Sequence, residues 1–276
     1  DASKPLISLD QHHEILSQIA QEMWESNTDS LKAEVLDLIA DIYGEAKKFP
    51  IAVRREIQER LKQHALVART SEGLFSFDHD EFRQFFLGEA IAFHFKARSS
   101  PEVRNILRRN LLPPQTVETL AQVIRQCCMD REQVTTFADG LVHGEGPTSF
   151  VRENVGGFIM KLLSDGKEGC FILHDLVLPP DSFLSVQLTG LTLKESYIQS
   201  TTLKDVTLQN CRFLNCVFER LCLDQSMVIR EVRMENCDIQ SLEDTTGNPF
   251  FDPQNISVFL GRSGFTVITD DSQLET

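Results

Sequence analysis

The chain has 276 residues, 41% of them apolar, and a net charge of −14, which is room for more than one domain at an ordinary globular composition. No run of eighteen apolar residues occurs, and the opening DASKPLISLD lacks a basic stretch leading into an apolar core, so neither a membrane-spanning helix nor a secretory signal is expected. The acidic balance argues against nucleic-acid binding by the whole chain.

Residues 1–165 read as helices with short connections. Ser8 is a fair N-cap with Gln11 three residues later, and Ile15, Leu16, Ile19 and Met23 form one face of the helix that follows. The loop NTDS (27–30) precedes a second helix with Leu31, Val35, Leu38, Ile39 and Ile42 on one stripe. Pro50 suits the first turn of a third helix that turns Ile51, Ile57 and Leu61 inward. ALVAR, a TSEG turn and LFSF then give two short β runs joined by a glycine-containing loop, a hairpin signal. Three helices followed by a hairpin is the outline of a winged helix. A long helix with Phe82, Phe85, Phe86, Ala90 and Phe93 at helical spacing comes next. Further helices are expected from Ser100-Pro101, from Pro113-Pro114 to Met129, from Asp130 to Leu141 and from about Thr148 to Leu163. GKEGC (166–170) is a turn into the C-terminal third.

From Leu173 an apolar residue recurs at every fifth position for twelve steps: Leu173, Leu178, Phe183, Leu188, Leu193, Ile198, Leu203, Leu208, Phe213, Phe218, Leu223 and Val228. Neither a helix (period 3.6) nor a strand (period 2) produces that stride, whereas a solenoid does, each unit burying its face against its neighbours. The residue two before each is usually smaller (Val186, Leu191, Ser196, Thr201, Val206, Cys211, Cys216, Leu221, Ser226), and the other three positions carry polar side chains. The pattern resembles the pentapeptide-repeat family, which implies a right-handed, four-sided β-helix of about twenty residues per coil. Leu193 is then expected under Phe213, Ile198 under Phe218 and Leu203 under Leu223. A slip of one follows Val228, where Met234 and Ile239 resume the stride with Val232 and Cys237 as partners. The family's Ala-Asp/Asn-Leu unit is mostly absent. After the stack, Asp252-Pro253 starts a helix ending near Gly261 or Gly264, FTVIT (265–269) reads as a strand, and both are expected to cap the open end. TDDSQLET reads as a frayed tail.

GLFSFDHDEFRQFFLGEAIA (73–92) resembles the stretch that closes the winged helix in NACHT-type STAND NTPases. Phe75, Phe77, His79, Phe82, Phe85 and Phe86 match, and Arg83-Gln84 replaces the usual Gln-Glu pair. The likeness covers about residues 5–165 and is strong at 64–95. It implies that His79 contacts the β-phosphate of ADP held by an NTPase module in the resting state, as an imidazole N–H can. The local alternative is that His79 caps the next helix or satisfies the hairpin backbone. The chain itself has no GxxxxGK[ST] loop, and DGKEG (165–169) lacks the spacing and the Ser/Thr. The resemblance therefore makes it the part C-terminal to an ATPase module, consistent with a start at Asp1. No cofactor is expected in this fragment, and ADP/ATP is implied for the parent.

Candidate chemistry is thin. His12, His13 and Glu14 diverge by about 100° per residue on a helix and cannot share a metal. Cys127-Cys128 has no neighbouring histidine to activate a thiolate. Cys211, Cys216, Cys222 and Cys237 fit no zinc spacing, and three of them sit at the small inward position, where cysteine packs as a compact hydrophobe. The seven cysteines point to a reducing, cytosolic setting. No nucleophile, base and orienter converge, so no enzyme and no metal site are expected. Residues 47–69 carry Lys47, Lys48, Arg54, Arg55, Arg60, Lys62 and Arg69 against Glu56 and Glu59. The third helix within them is the groove-reading helix of DNA-binding winged helices, but the apolar face and the two glutamates make it a weak reader. A docking surface for the NTPase module fits better.

The expected architecture is α+β: a winged-helix-like domain at 1–97, a helical bundle at 98–168, a pentapeptide-repeat β-helix at 169–242 and a cap with tail at 243–276. The expected role is the non-catalytic sensor half of a bacterial NACHT-type STAND NTPase. Its partners would be the NTPase module and a protein trigger, plausible in phage defence, meeting outward residues such as Lys194, Arg212 and Arg220 or the basic Arg54 and Arg55. The alternatives are a DNA-binding winged helix and a pentapeptide-repeat DNA mimic that binds gyrase. The charge between Leu176 and Asp244, ten acids to six bases, is too mixed for the mimic.

Overall fold

The computed structural model describes residues 6–127, 129–146 and 149–269. Cys128, Thr148, the first five residues and most of the expected tail (270–276) lie outside them. The chain divides into two compact units, one up to Val123 and one from Ile124.

In the first unit α1 (Leu9–Glu25) opens with a complete capping box: Gln11 N–H donates to Ser8 Oγ and the Gln11 amide oxygen accepts from Ser8 N–H. Ile15, Leu16, Ile19 and Met23 are buried as expected. α2 (Ala33–Ala46) and α3 (Ile51–Leu61) follow. The expected stripe on α2 is corrected: Leu36, Ala40 and Tyr43 face the core, while Leu38 and Ile42 are exposed. The smaller Leu36/Ala40 face brings α2 close to its neighbours, and the alternative stripe, equally apolar, is left outside. Ile51 is likewise exposed, at the start of the helix that buries Ile57 and Leu61.

The hairpin pairs β1 (Val67–Arg69) antiparallel with β2 (Phe75–Phe77), Val67 opposite Phe77, around Gly73 at φ +81°. Leu31 joins it by a reciprocal bridge, Leu31 N–H to Phe75 O and Phe75 N–H to Leu31 O, both 2.8 Å. α4 (Asp80–Lys96) then runs through the centre of the unit, followed by α5 (Ser100–Leu107) and α6 (Pro114–Gln126), which contains the break between units. Of the phenylalanines expected on one face of α4, Phe86 is buried but Phe93 is 62% exposed. The helix is packed on two sides, so Leu87, Ile91 and Phe95 carry much of its core contact. On one side Gly88 allows the approach of α6: a Cβ there would lie 2.7 Å from Thr119 Cβ.

The second unit starts with α7 (Arg131–Val142), N-capped by Asp130, and α8 (Ser149–Leu163). A four-sided β-solenoid follows. Its first side stacks Phe171–His174, Leu191–Lys194, Arg212–Leu214 and Val232–Glu235. The second stacks Val177–Leu178, Tyr197–Ile198, Val217–Phe218 and Asp238–Ile239. Thr201–Leu203, Leu221–Leu223 and Leu242–Glu243 form another side, and Gln187–Thr189, Thr207–Gln209 and Val228–Arg230 the last. The ladders are parallel, with Phe213 on Leu193, Phe218 on Ile198 and Leu223 on Leu203, the stacking the stride predicts. The apolar stride from Leu173 to Leu223 is buried. Corners recur every five residues at left-handed backbone angles: Ser185, Gly190, Glu195, then Asp205, Asn210, Asn215. Gly190 is obligatory, because a Cβ there would meet Gly169 O at 1.8 Å.

The slip comes one unit earlier than expected. Val228 pairs with Thr207, already twenty-one residues apart, and is 38% exposed, while Ile229 stacks on Leu208. The extra residue sits in the corner Asp224–Ser226, where Ser226 Oγ donates to Asp224 Oδ1 and accepts from Asp205 N–H, so Ser226 faces out rather than in. The C-terminal cap is as expected: α9 (Pro253–Arg262) buries Ile256 and Leu260, and strand Phe265–Ile268 adds in parallel to Val232–Glu235. At the other end α7 and α8 cover the first coil. His174 N–H donates to Asp139 Oδ1, Arg152 pairs with Asp175, and Arg131 grips Asp165 through two bonds.

Candidate functional site

His79 follows directly from the hairpin. Asp78 N–H closes the β1–β2 loop on Leu66 O at 3.0 Å, and the extended backbone of His79 (φ −131°, ψ 143°) makes it the N-cap of α4, its carbonyl accepting from Phe82 N–H. Its side chain makes no capping bond and is 65% exposed, with Nε2 3.4 Å from Asp78 Oδ2 and its ring 5.7 Å from that of Phe82. The phenylalanines around it are structural: Phe77 stacks on Phe86 at 5.7 Å, and Phe85 meets Phe86 edge-on at 5.2 Å. Arg83 donates to Asp80 at 2.8 Å and to Asp29 at 2.6 Å, tying the start of α4 to the NTDS loop, and Gln84 also donates to Asp80. Burial pushes the Asp80 carboxyl up, but these bonds outweigh it and hold it below its ordinary value.

The basic segment is largely neutralised. Lys47 meets Glu14 at 2.6 Å, Arg54 meets Asp41 at 2.9 Å, Arg60 meets Glu56 at 2.7 Å and Lys62 meets Asp37 at 2.8 Å. Arg54 also lies flat over Gly44, where a Cβ would stand 2.5 Å from its Cγ. Arg55 is exposed and has no ion pair among the described residues. On the solenoid, Arg212 reaches one coil on to Glu235, Nε to Oε1 at 2.7 Å, and holds that carboxyl below its ordinary value, while Arg220 pairs with Glu243 one coil on. Lys194 is half-buried between His174 and Leu214 in the ladder, with no ion pair among the described residues.

His12, His13 and Glu14 point to three different partners. His12 stacks near His64 (5.4 Å), His13 Nδ1 meets Glu89 at 3.0 Å, and Glu14 accepts from Tyr43 OH at 2.7 Å. A groove of about 550 Å³ opens beside them, lined by His13, Ser17, Tyr43, Lys47, Phe93 and His94. The sequence reading passed over this groove, because Phe93 and His94 come from α4 and carry no motif. Burial, with Glu14 behind it, pushes the Tyr43 hydroxyl up; Glu14 itself is raised by burial but lowered further by Lys47 and Tyr43. Lys47 is thus tied to Glu14 and His13 to Glu89, and no hydrogen bond joins Ser17 to His13 among the described residues.

Among the described residues no three or more histidine, cysteine or acidic side chains gather as metal ligands, and no helix is long and apolar enough to cross a membrane. No protein-family model matches the chain, and no curated protein matches its sequence.

Proposed function

We propose that the chain is the regulatory and sensor region of a NACHT-type STAND NTPase, a winged-helix and helical half joined to a right-handed pentapeptide-repeat solenoid. The observation that carries this reading is His79: the phenylalanines of the resembling motif pack on one another, while its imidazole, beside Asp78, is 65% exposed and makes no capping bond at the start of α4. The order helix, bridge residue Leu31, two helices and hairpin, with Leu31 joined to β2 on the edge away from β1, is the order of a winged helix and supports the same reading.

Asp78, Asp80 and Glu81 stand beside His79. A phosphate arriving there must bring compensating cations from the module that holds it, because the local field otherwise repels an anion. On the solenoid the outward Arg212 and Arg220 are each paired with an acid one coil on, Glu235 and Glu243, which favours a protein trigger over nucleic acid. Pairing of Arg54, Arg60 and Lys62 with acids weighs against the DNA-binding alternative in the same way.

The test is nucleotide retention by the native full-length protein, wild type against His79→Ala, with the released nucleotide identified by mass spectrometry. ADP on the wild type and its loss in an otherwise folded variant are expected. Equal retention, or no nucleotide on either, overturns the assignment of His79.

A further inference from the structure

The third and fourth coils place two thiols on top of each other. Val217 pairs with Asp238 in a parallel ladder, and Asp238 N–H donates to Cys216 O at 2.9 Å, so Cys216 and Cys237 occupy the same position in successive coils. Both side chains turn inward at the small position of the repeat, where Ser196 and Leu176 stand one and two coils below Cys216. Cys237 Sγ reaches Phe213 O at 3.4 Å and Cys216 Sγ reaches Leu193 O at 3.5 Å, so each thiol is turned toward the coil beneath it. Neighbouring β-strands lie about 4.8 Å apart, inside the Cα separations of about 4.4–6.8 Å that a disulfide spans.

We infer that Cys216 and Cys237 form a redox-modification site, a dithiol that a low-molecular-weight disulfide oxidises to a covalent tie between the last two coils. This proposal stands apart from the nucleotide reading. Cys237 is half-exposed and Cys216 fully buried, so the reagent enters at Cys237. The Cys237 thiolate attacks the reagent RS–SR, giving Cys237–S–SR and one RS⁻. Cys216 then attacks the Cys237 sulfur, giving the Cys216–Cys237 disulfide and a second RS⁻. The protons lost by the two thiols convert both leaving groups to RSH, so two thiols are oxidised and one reagent disulfide is reduced. The contact between the thiols pushes the Cys237 thiol up, so its attack on the reagent is the slow step of the sequence.

The place of the tie gives it an effect. Asn236, the residue before Cys237, donates its N–H to Ile268 O of the capping strand. A bond from Cys237 to Cys216 fixes the coil on which that strand docks, and so sets how readily the capped end opens.

The experiment is oxidation of the whole chain with excess oxidised glutathione, followed by alkylation and peptide mass spectrometry, for wild type, Cys216→Ser and Cys237→Ser. Serine is already accommodated in this column at Ser196, which favours folding of both variants. Wild type is expected to yield a cross-linked Cys216–Cys237 peptide lacking two hydrogens, with slower amide exchange at 232–239 and 265–268. Cys216→Ser is expected to stop at a glutathione adduct on Cys237, and Cys237→Ser to leave Cys216 reduced. Adducts confined to the exposed Cys127 and Cys170, with Cys216 and Cys237 still open to alkylation after unfolding, overturn the proposal.

Discussion

Gly156 of α8 lies directly against the carbonyl oxygen of Val177 in the first coil: a Cβ at that position would stand 2.2 Å from it. At the next residue, Gly157, a Cβ would meet Pro179 at ordinary contact distance, Cγ at 3.4 Å and Cδ at 3.9 Å. The two adjacent glycines therefore do different work, although both sit inside a helix where glycine is unfavourable by about 1 kcal/mol relative to alanine. Gly156→Ala is expected to lower stability by about 1–3 kcal/mol, because helix and coil must separate to admit the methyl group. Gly157→Ala is expected to be neutral or to raise stability by up to about 1 kcal/mol. Urea denaturation of the two variants checks this, and equal effects would mean that α8 does not seat on the coil through Gly156.

Phe213 is the centre of the solenoid core. It is 2% exposed, with its ring 5.9 Å from that of Phe183 and 5.5 Å from that of Phe218. Phe213→Ala is expected to cost about 3–5 kcal/mol through lost contacts and the cavity left in a stack that cannot close sideways. Its neighbour Arg212 points outward to Glu235, and Arg212→Ala, which removes a fully exposed ion pair, is expected to leave the urea midpoint close to that of the parent. If Arg212 nonetheless proves necessary for response to a trigger, that loss cannot be assigned to unfolding.

The stride of five was legible because each solenoid unit needs one large inward residue and nothing else in proteins repeats at that interval. The place of the slip was not, because Val228 and Ile229 are adjacent and equally apolar, and hydrophobicity cannot say which one turns in. The corner residues carry the missing information: left-handed positions run to Asn210 and Asn215 and resume at Glu231 and Asn236, one residue late. In the helical half, Leu38, Ile42, Ile51 and Phe93 satisfied helical periodicity yet face outward, since the choice between two apolar stripes belongs to the neighbouring helices. Leu31 makes its bridge as a single residue, too short for any strand pattern. His79 was legible as part of a motif, but its exposure was not. The capture of Arg54 was invisible for a related reason: its partners Asp41 and Gly44 lie on a different helix.

Arg54 and its neighbour Arg55 separate structural from surface charge in the basic segment. Arg54→Ala removes a guanidinium bonded to Asp41 and the stem packed over Gly44, and is expected to cost about 1–2 kcal/mol. Arg55→Ala touches none of these contacts and is expected to stay within about 0.5 kcal/mol of the parent. Thermal denaturation distinguishes them. A stability loss for Arg55→Ala equal to that of Arg54→Ala would contradict the packing of α3 against α2.

The neighbouring rings of His12 and His64, 5.4 Å apart and tilted by 44°, make the first unit sensitive to mild acid. Burial, and secondly the charge of His13 at His12 and of His12 at His64, holds both imidazoles below their ordinary value; Arg60 lines the same small pocket. In the unfolded chain the two rings take up protons near pH ~6.5, while the folded chain resists them until the pH is lower. Between those values the unfolded state binds more protons, so stability rises with pH across the window. The contribution is complete above about pH 6.5 and is lost as the pH falls toward the folded-state values. Urea midpoints at about pH 7.5 and 5.5 should therefore drop more for wild type than for His64→Gln, a neutral side chain with no proton to gain. Acid-sensitive carboxylate pairs such as Arg131–Asp165 weaken only at lower pH and contribute alike to both proteins. An equal drop in the two would show that the pair is already relaxed in solution and that His12 and His64 take up protons without strain on the contact between α1 and the end of α3.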